Sequence, residues 1–128
     1  MARVSRGAAG EVMAARYLRK KGYTLIAATY RTRFGEIDII AADKKYIAFV
    51  EVKLRSGAAI YTPEEAVTPL KQQKIVKAAM QYLQLHPSDL QPRFDVIAIV
   101  ADDRDPMKAR SLEHLKAAFD VGGMYAAF

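Results

Sequence analysis

The chain has 128 residues, about half of them apolar, so one domain of ordinary size with a real core is expected. Without cysteine it has no disulfide, no thiolate zinc site and no thiol nucleophile. Twenty Lys and Arg against fourteen Asp and Glu leave a net charge of +6, which draws a domain towards polyanions or simply keeps it soluble.

The opening MARVSRGAAGEVMAARYLRKKGY is charged throughout, unlike a secretory signal, and no segment has the roughly 18 apolar residues of a membrane span. A cytoplasmic location without membrane contact is expected. From about Arg6 to Lys21 the pattern is helical, with Ala8, Glu11, Ala15 and Leu18 on one face, Ser5 as N-cap and Gly22 as the C′ residue. Thr24 to Tyr30 reads as a strand and Arg31 to Gly35 as a cationic turn. Glu36 to Ala42 is a second strand, with Ile37 and Ile39 on one face and Glu36, Asp38 and Ile40 on the other. Asp43-Lys44-Lys45 closes a hairpin to a third strand, Tyr46 to about Leu54, with Val50 and Val52 opposite Phe49, Glu51 and Lys53. Arg55 to Thr62 is a loop containing Gly57.

A helix follows, starting at Pro63 or near Pro69, with Ile75, Ala78, Ala79, Tyr82 and Leu83 as its buried stripe and His86-Pro87 as its stop. Arg93 to Val100 is a fourth strand, Asp102 to Asp105 a turn, and Leu112 to Phe119 a short terminal helix before a tail loosened by Gly122-Gly123. Three strands in a meander and a fourth after a crossover helix give an α/β fold: a mixed sheet with flanking helices, its core at about residues 6–100 and a C-terminal helix and tail at about 101–128 of a single domain.

The chemistry lies in GEIDIIAADKKYIAFVEVKLR, residues 35 to 55. Asp38 interrupts an isoleucine run, and Glu51 and Lys53 interrupt a valine run; charges in apolar strands lose solvation unless a partner or ion compensates. Asp38 and Glu51 suit a hard cation such as Mg²⁺ or Mn²⁺, with the backbone carbonyl of Val52 as a further oxygen. Lys53 is placed to orient water or stabilise a phosphorane-like transition state. The alternative is a cross-strand ion pair of Lys53 with Glu51 or Asp38.

Around this centre, Lys71 stands in line with the buried stripe of its helix, to reach a phosphate near Glu51 or to snorkel into solvent. Lys74 and Lys77 read as a solvated face with general phosphate affinity. Arg31, Arg33 and Arg55 are phosphate clamps or ordinary loop charges. Glu36 could touch a second metal or substrate, and Tyr61 could stack on a base. Asp95 is expected to pair with a basic neighbour or end a strand. His86 at a helix end and His114 in the tail make no histidine metal site.

This stretch resembles the PD-(D/E)XK nuclease superfamily, the restriction-endonuclease-like fold. More narrowly, the chain resembles the small bacterial YraN-like family (UPF0102) of predicted endonucleases, through Gly10-Glu11 with Ala15, Tyr17 and Leu18; Gly22-Tyr23; Arg31; Gly35-Glu36-Ile37-Asp38; Phe49-Val50-Glu51-Val52-Lys53 with Arg55; Val67 with Lys71; Ala79 with Tyr82-Leu83; and Arg93-Phe94-Asp95-Val96. The resemblance implies a restriction-endonuclease-like αβββαβ core and kinship with archaeal Holliday-junction resolvases. It makes Asp38 the metal aspartate, Glu51 the second acidic ligand, Lys53 the superfamily lysine and Glu11 the helical glutamate of the resolvase-like branch. Periodicity puts Glu11 on a face expected to pack inward, or at the edge of that face reaching water. The expected activity is metal-dependent endonucleolytic hydrolysis of DNA, branched or otherwise structured DNA included. The rival readings are a non-catalytic nucleic-acid-binding module and an assembly partner of a repair or uptake machine, with the tail after Arg110 as docking surface. A symmetric homodimer follows only by analogy with enzymes that use two sites on branched DNA.

Overall fold

The computed structural model describes residues 6–55 and 67–120. Helix α1 spans Arg6–Lys20, strands β1, β2 and β3 span Thr24–Arg31, Glu36–Ala42 and Tyr46–Arg55, helix α2 spans Pro69–Leu85, and strands β4 and β5 span Gln91–Ala101 and Ala109–Phe119. They form one mixed sheet in the order β1-β2-β3-β4-β5. The first three strands pair antiparallel, β3 pairs parallel with β4, and β5 returns antiparallel beside β4. This mixed five-stranded sheet with two helices is consistent with the expected αβββαβ-type core.

Chain chemistry explains the helix ends. The Gly22 and Tyr23 N–H groups donate to the Arg19 and Leu18 carbonyls, a Schellman closure that needs the positive φ of Gly22, +94°. Thr68 caps α2: its extended backbone precedes Pro69 and its hydroxyl accepts the Lys71 N–H at 3.2 Å. Of the two expected starts for this helix, Pro69 is the one observed. Ser5, Gly57, Tyr61, Pro63 and Gly122-Gly123 lie outside the described residues.

Apolar residues fill both sheet faces. Ile37, Ile40, Phe49 and Phe94 pack with Val67, Ile75, Ala79 and Tyr82 on the α2 side. Ile39, Ala48, Val50 and Ile97 pack with Met13, Ala14 and Leu18 on the α1 side. The α1 stripe is therefore centred on Ala9, Met13, Ala14 and Leu18, with Ala8, Glu11 and Ala15 at its flank. Central β3 is covered on both faces, which explains its unbroken IAFV run.

Two expectations are corrected. Leu112 to Phe119 is not a helix but most of β5, and His114 sits in that strand rather than in a tail. The spacing of Leu112, Leu115 and Ala118 mimics a helix, but β4 needs a partner along its free edge, and pairing of Ile97 with His114 and Ile99 with Leu112 supplies it. Nor do Ile37 and Ile39 share a face: Ile37 packs under α2 and Ile39 under α1. Strand alternation holds only along a regular pleat, and β2 leaves its ladder with β3 beyond the Ile39–Val50 pair.

Candidate metal and phosphate site

The departure of β2 from the ladder creates the site. Asp38 is the first residue beyond the last β2–β3 pair, and its Oδ2 accepts the Val52 N–H at 2.8 Å. A carboxylate thus replaces a backbone carbonyl at the end of the ladder, leaving Asp38 half-buried beside Glu51. Glu51, only 3% exposed, lies on the α2 face of β3, two residues beyond Phe49. Its Oε1 meets Lys71 Nζ at 2.7 Å and Lys53 Nζ at 3.5 Å. Lys71 comes from the first turn of α2, so the capped helix start fixes where this ammonium arrives.

Glu11 approaches from α1. Thr29 Oγ1 donates to Glu11 Oε2 at 3.2 Å, from a backbone with φ of +52°. That conformation is uncommon for a β-branched residue, and it turns the hydroxyl to the glutamate. Glu36, also on β2, takes the Arg31 guanidinium at 3.1 Å. One carboxylate oxygen each of Glu11, Glu36 and Asp38 lies within 4.8 Å of the others, a cluster that could hold a metal.

These carboxylates line a cleft of about 410 Å³ with Glu51, Val52, Lys53, Arg55 and Lys71. A neighbouring cleft of about 260 Å³ also reaches Asp38 and Glu51 and is bordered by Gly35, Thr68, Leu70 and Lys74. Burial and the Glu51 carboxylate push Asp38 up to about 7, against the Val52 hydrogen bond, and Glu11 adds to the rise. Lys71 is held above its usual range: burial opposes its charge, but the contact with Glu51 outweighs that. The donor set is all oxygen, which suits a hard divalent cation and not a soft one.

The structure gathers Glu11, Asp38, Glu51, Lys53, Arg55, Lys71 and Lys74 at one end of the sheet. Arg31 is engaged with Glu36 at the margin. Arg33 lines a different cleft, with Lys77 and Gln81. Glu36 joins Glu11 and Asp38, whereas Glu51 engages lysines. Its position two residues before Asp38 on the same strand was the available signal. Thr29 had none, because its role depends on a left-handed backbone. Asp95 pairs as expected, with Arg93 at 2.8 Å, but lies within β4, not at a strand end.

A model of the uncharacterised protein family UPF0102 matches residues 10–99. The chain belongs to that family. It is 48% identical over 118 residues to a UPF0102 protein of Chlorobium limicola, covering 90% of this chain and 92% of that one. It is 45% identical over 122 residues to one from Syntrophotalea carbinolica (94% and 96%) and 42% identical over 116 residues to one from Geotalea daltonii (90% and 89%). The UPF0102 match contains every residue of the two clefts. Among the described residues, no helix is long and apolar enough to cross a membrane.

Proposed function

We propose that this chain is a divalent-metal-dependent phosphodiesterase of the PD-(D/E)XK type acting on DNA. The observation that carries the reading is the convergence of Glu11, Glu36 and Asp38 oxygens within 4.8 Å, beside a buried Glu51 that holds two lysines. Like charges this close raise one another's cost of ionisation, and a cation relieves it. Asp38 with Glu11 and Glu36 would hold the ion, with Glu51 and the Val52 carbonyl as the further ligands that the nuclease pattern implies. Mg²⁺ or Mn²⁺ bound there supplies charge neutralisation at the phosphate and makes water more acidic.

The chain's own residues do the remainder. Water adds to phosphorus as a P–O ester bond breaks, and the negative charge that builds on the phosphate oxygens faces the Lys53 ammonium. Lys53 is mostly buried, so its charge is weakly screened. Lys71, about half exposed, can exchange Glu51 for a phosphate oxygen without leaving the cleft. Arg55 and Lys74 border the same space and suit the flanking phosphates.

Purified protein with Mg²⁺ or Mn²⁺ should cut DNA, branched substrates included, and Asp38→Ala, Glu51→Ala and Lys53→Ala should each abolish cutting. Cleavage that persists in all three variants would sink the assignment. The second reading, a binding module without turnover, draws on the double lysine contact of Glu51, which already neutralises that carboxylate. Salt-sensitive DNA binding with no cleavage of any substrate in either metal would favour it.

A further inference from the structure

The turn that places Gly35 in one cleft places Arg33 and Phe34 in another. This second cleft, about 330 Å³, is completed by Lys77, Met80, Gln81 and Gln84 of α2. Leu70, Lys74, Lys77, Gln81 and Gln84 recur at spacings of four and three, so they form one stripe that joins both clefts. From Lys74 to Gln81 the helix rises roughly 10 Å at about 1.5 Å per residue. That is on the order of three nucleotides at about 3.4 Å each.

The lining has a specific chemistry. The Arg33 guanidinium lies over the Phe34 ring at 4.8 Å, a flat cationic surface. Met80 adds an apolar wall, Lys77 adds a second cation, and among the described residues no carboxylate lines the space. The Gln81 Oε1 atom is out of solvent and has no hydrogen-bond partner among the described residues. Such an oxygen costs free energy until a donor arrives, and rotation about the terminal amide torsion can turn it into the cleft. The turn itself is rigid: Thr32 Oγ1 accepts the Phe34 and Gly35 N–H groups at 3.0 and 3.2 Å and donates to the Gly35 carbonyl at 2.9 Å. A β-carbon on Gly35 would stand 3.3 Å from Lys74 Cβ, so the missing side chain lets the turn sit against the helix.

We infer that this cleft takes an unpaired nucleotide of a DNA strand, with the phosphate about three nucleotides along that strand at the carboxylate site. The base stacks on the Arg33–Phe34 surface and gives a ring N–H or exocyclic amino hydrogen to Gln81, and its phosphate meets Lys77. A base inside a duplex hides both faces and its pairing edge, so only an unstacked nucleotide fits. The substrate class is then DNA with single-stranded, bulged or branched character. This rests on the phosphodiesterase reading for its role in the reaction, but the binding itself does not need turnover.

The test is fluorescence anisotropy with the full chain and no divalent ion. The probes are a labelled mixed-sequence single strand and a duplex of equal length. The single strand should bind at least about ten-fold more tightly at equal salt. Phe34→Ala and Gln81→Leu should each weaken single-strand binding by about five-fold or more, the lower end of a lost base–aromatic contact, and leave duplex binding unchanged. Gln81→Leu should melt no lower than wild type, because it removes an unpartnered oxygen, so its lost affinity is not lost folding. Equal affinity for both probes, or unchanged single-strand affinity in both variants, overturns the inference. Metal-dependent cleavage without strand preference rejects this inference alone, whereas strand-selective binding without cleavage in Mg²⁺ or Mn²⁺ rejects the phosphodiesterase reading alone.

Discussion

Asp38 and Asp95 make the same structural move with opposite surroundings. Each accepts a backbone N–H where a sheet ladder is interrupted, Asp38 from Val52 at 2.8 Å and Asp95 from Ala117 at 3.0 Å. Asp95, fully buried, is then saturated: Arg93 donates twice at 2.8 Å and the His114 ring lies 2.7 Å away. Burial pushes its carboxyl up, but the bonds from His114, Arg93 and Ala117 outweigh that and hold it below the usual range. Among the described residues Asp38 forms no ion pair. Glu51, Glu11 and Glu36 stand around it, the Lys71 charge only partly offsets them, and burial with Glu51 carries it up to about 7. One aspartate is neutralised within the fold, and the other stands mainly among like charges. That difference, more than burial, separates the structural carboxylate from the candidate site.

The largest test of the contrast is the pair of single variants. Asp95→Ala leaves the Arg93 guanidinium buried without its carboxylate and should cost about 3–5 kcal/mol in urea unfolding. Asp38→Asn keeps an acceptor for Val52 and removes like-charge repulsion, so at about pH 8 it should be as stable as wild type or more so. Equal losses in both would erase the distinction.

Next comes the response to a divalent ion. At about 100 times its dissociation constant, Mg²⁺ or Mn²⁺ should stabilise the wild type by about 2.7 kcal/mol. Asp38→Asn should lose most of that rise in melting temperature. Asp95→Asn should start lower and keep it.

The pH profiles should also run in opposite directions. Without metal, the unfolded chain ionises its aspartate near 3.8 while folded Asp38 holds its proton to about 7. The native state binds more protons in that window, so the Asp38 contribution to stability falls as pH rises from about 4 to 7 and is level above. Asp95 is depressed, so its contribution is present above the ordinary carboxylate value and is lost as pH falls through the lower folded one. Unfolding titrations of wild type against Asp38→Asn should show the first trend vanish. A slope unchanged by the substitution would assign it elsewhere.

The smallest effect concerns Lys71. Its partner is buried but its own side chain is 46% exposed, so Lys71→Ala should cost less than about 1 kcal/mol. Lys53 still faces Glu51 in that variant. A loss of several kcal/mol would make Lys71 a structural counter-ion, not an exchangeable one.

Local pattern determined much of this protein on its own. The β2–β3 hairpin with its Asp43 turn, the helix stop at Gly22, the alternation that sets Glu51 and Lys53 apart from Val50 and Val52, and the charged interruptions at Asp38, Glu51 and Lys53 are nearest-neighbour properties, readable because strand and helix periods are short. Tertiary structure decided the rest. Ala109–Phe119 carries a helical spacing, yet it is a strand because β4 had an edge to satisfy. Whether Glu11 faces Asp38 depends on how α1 lies across the sheet and on the left-handed turn at Thr29. Asp38 and Asp95 look alike in sequence, each a lone acid in an apolar run. Arg93 and Glu36 lie two residues along the same strands, but only the packed chain brings His114 to one aspartate and Glu11 and Glu51 to the other, because most of a carboxylate's electrostatic environment comes from neighbours in space.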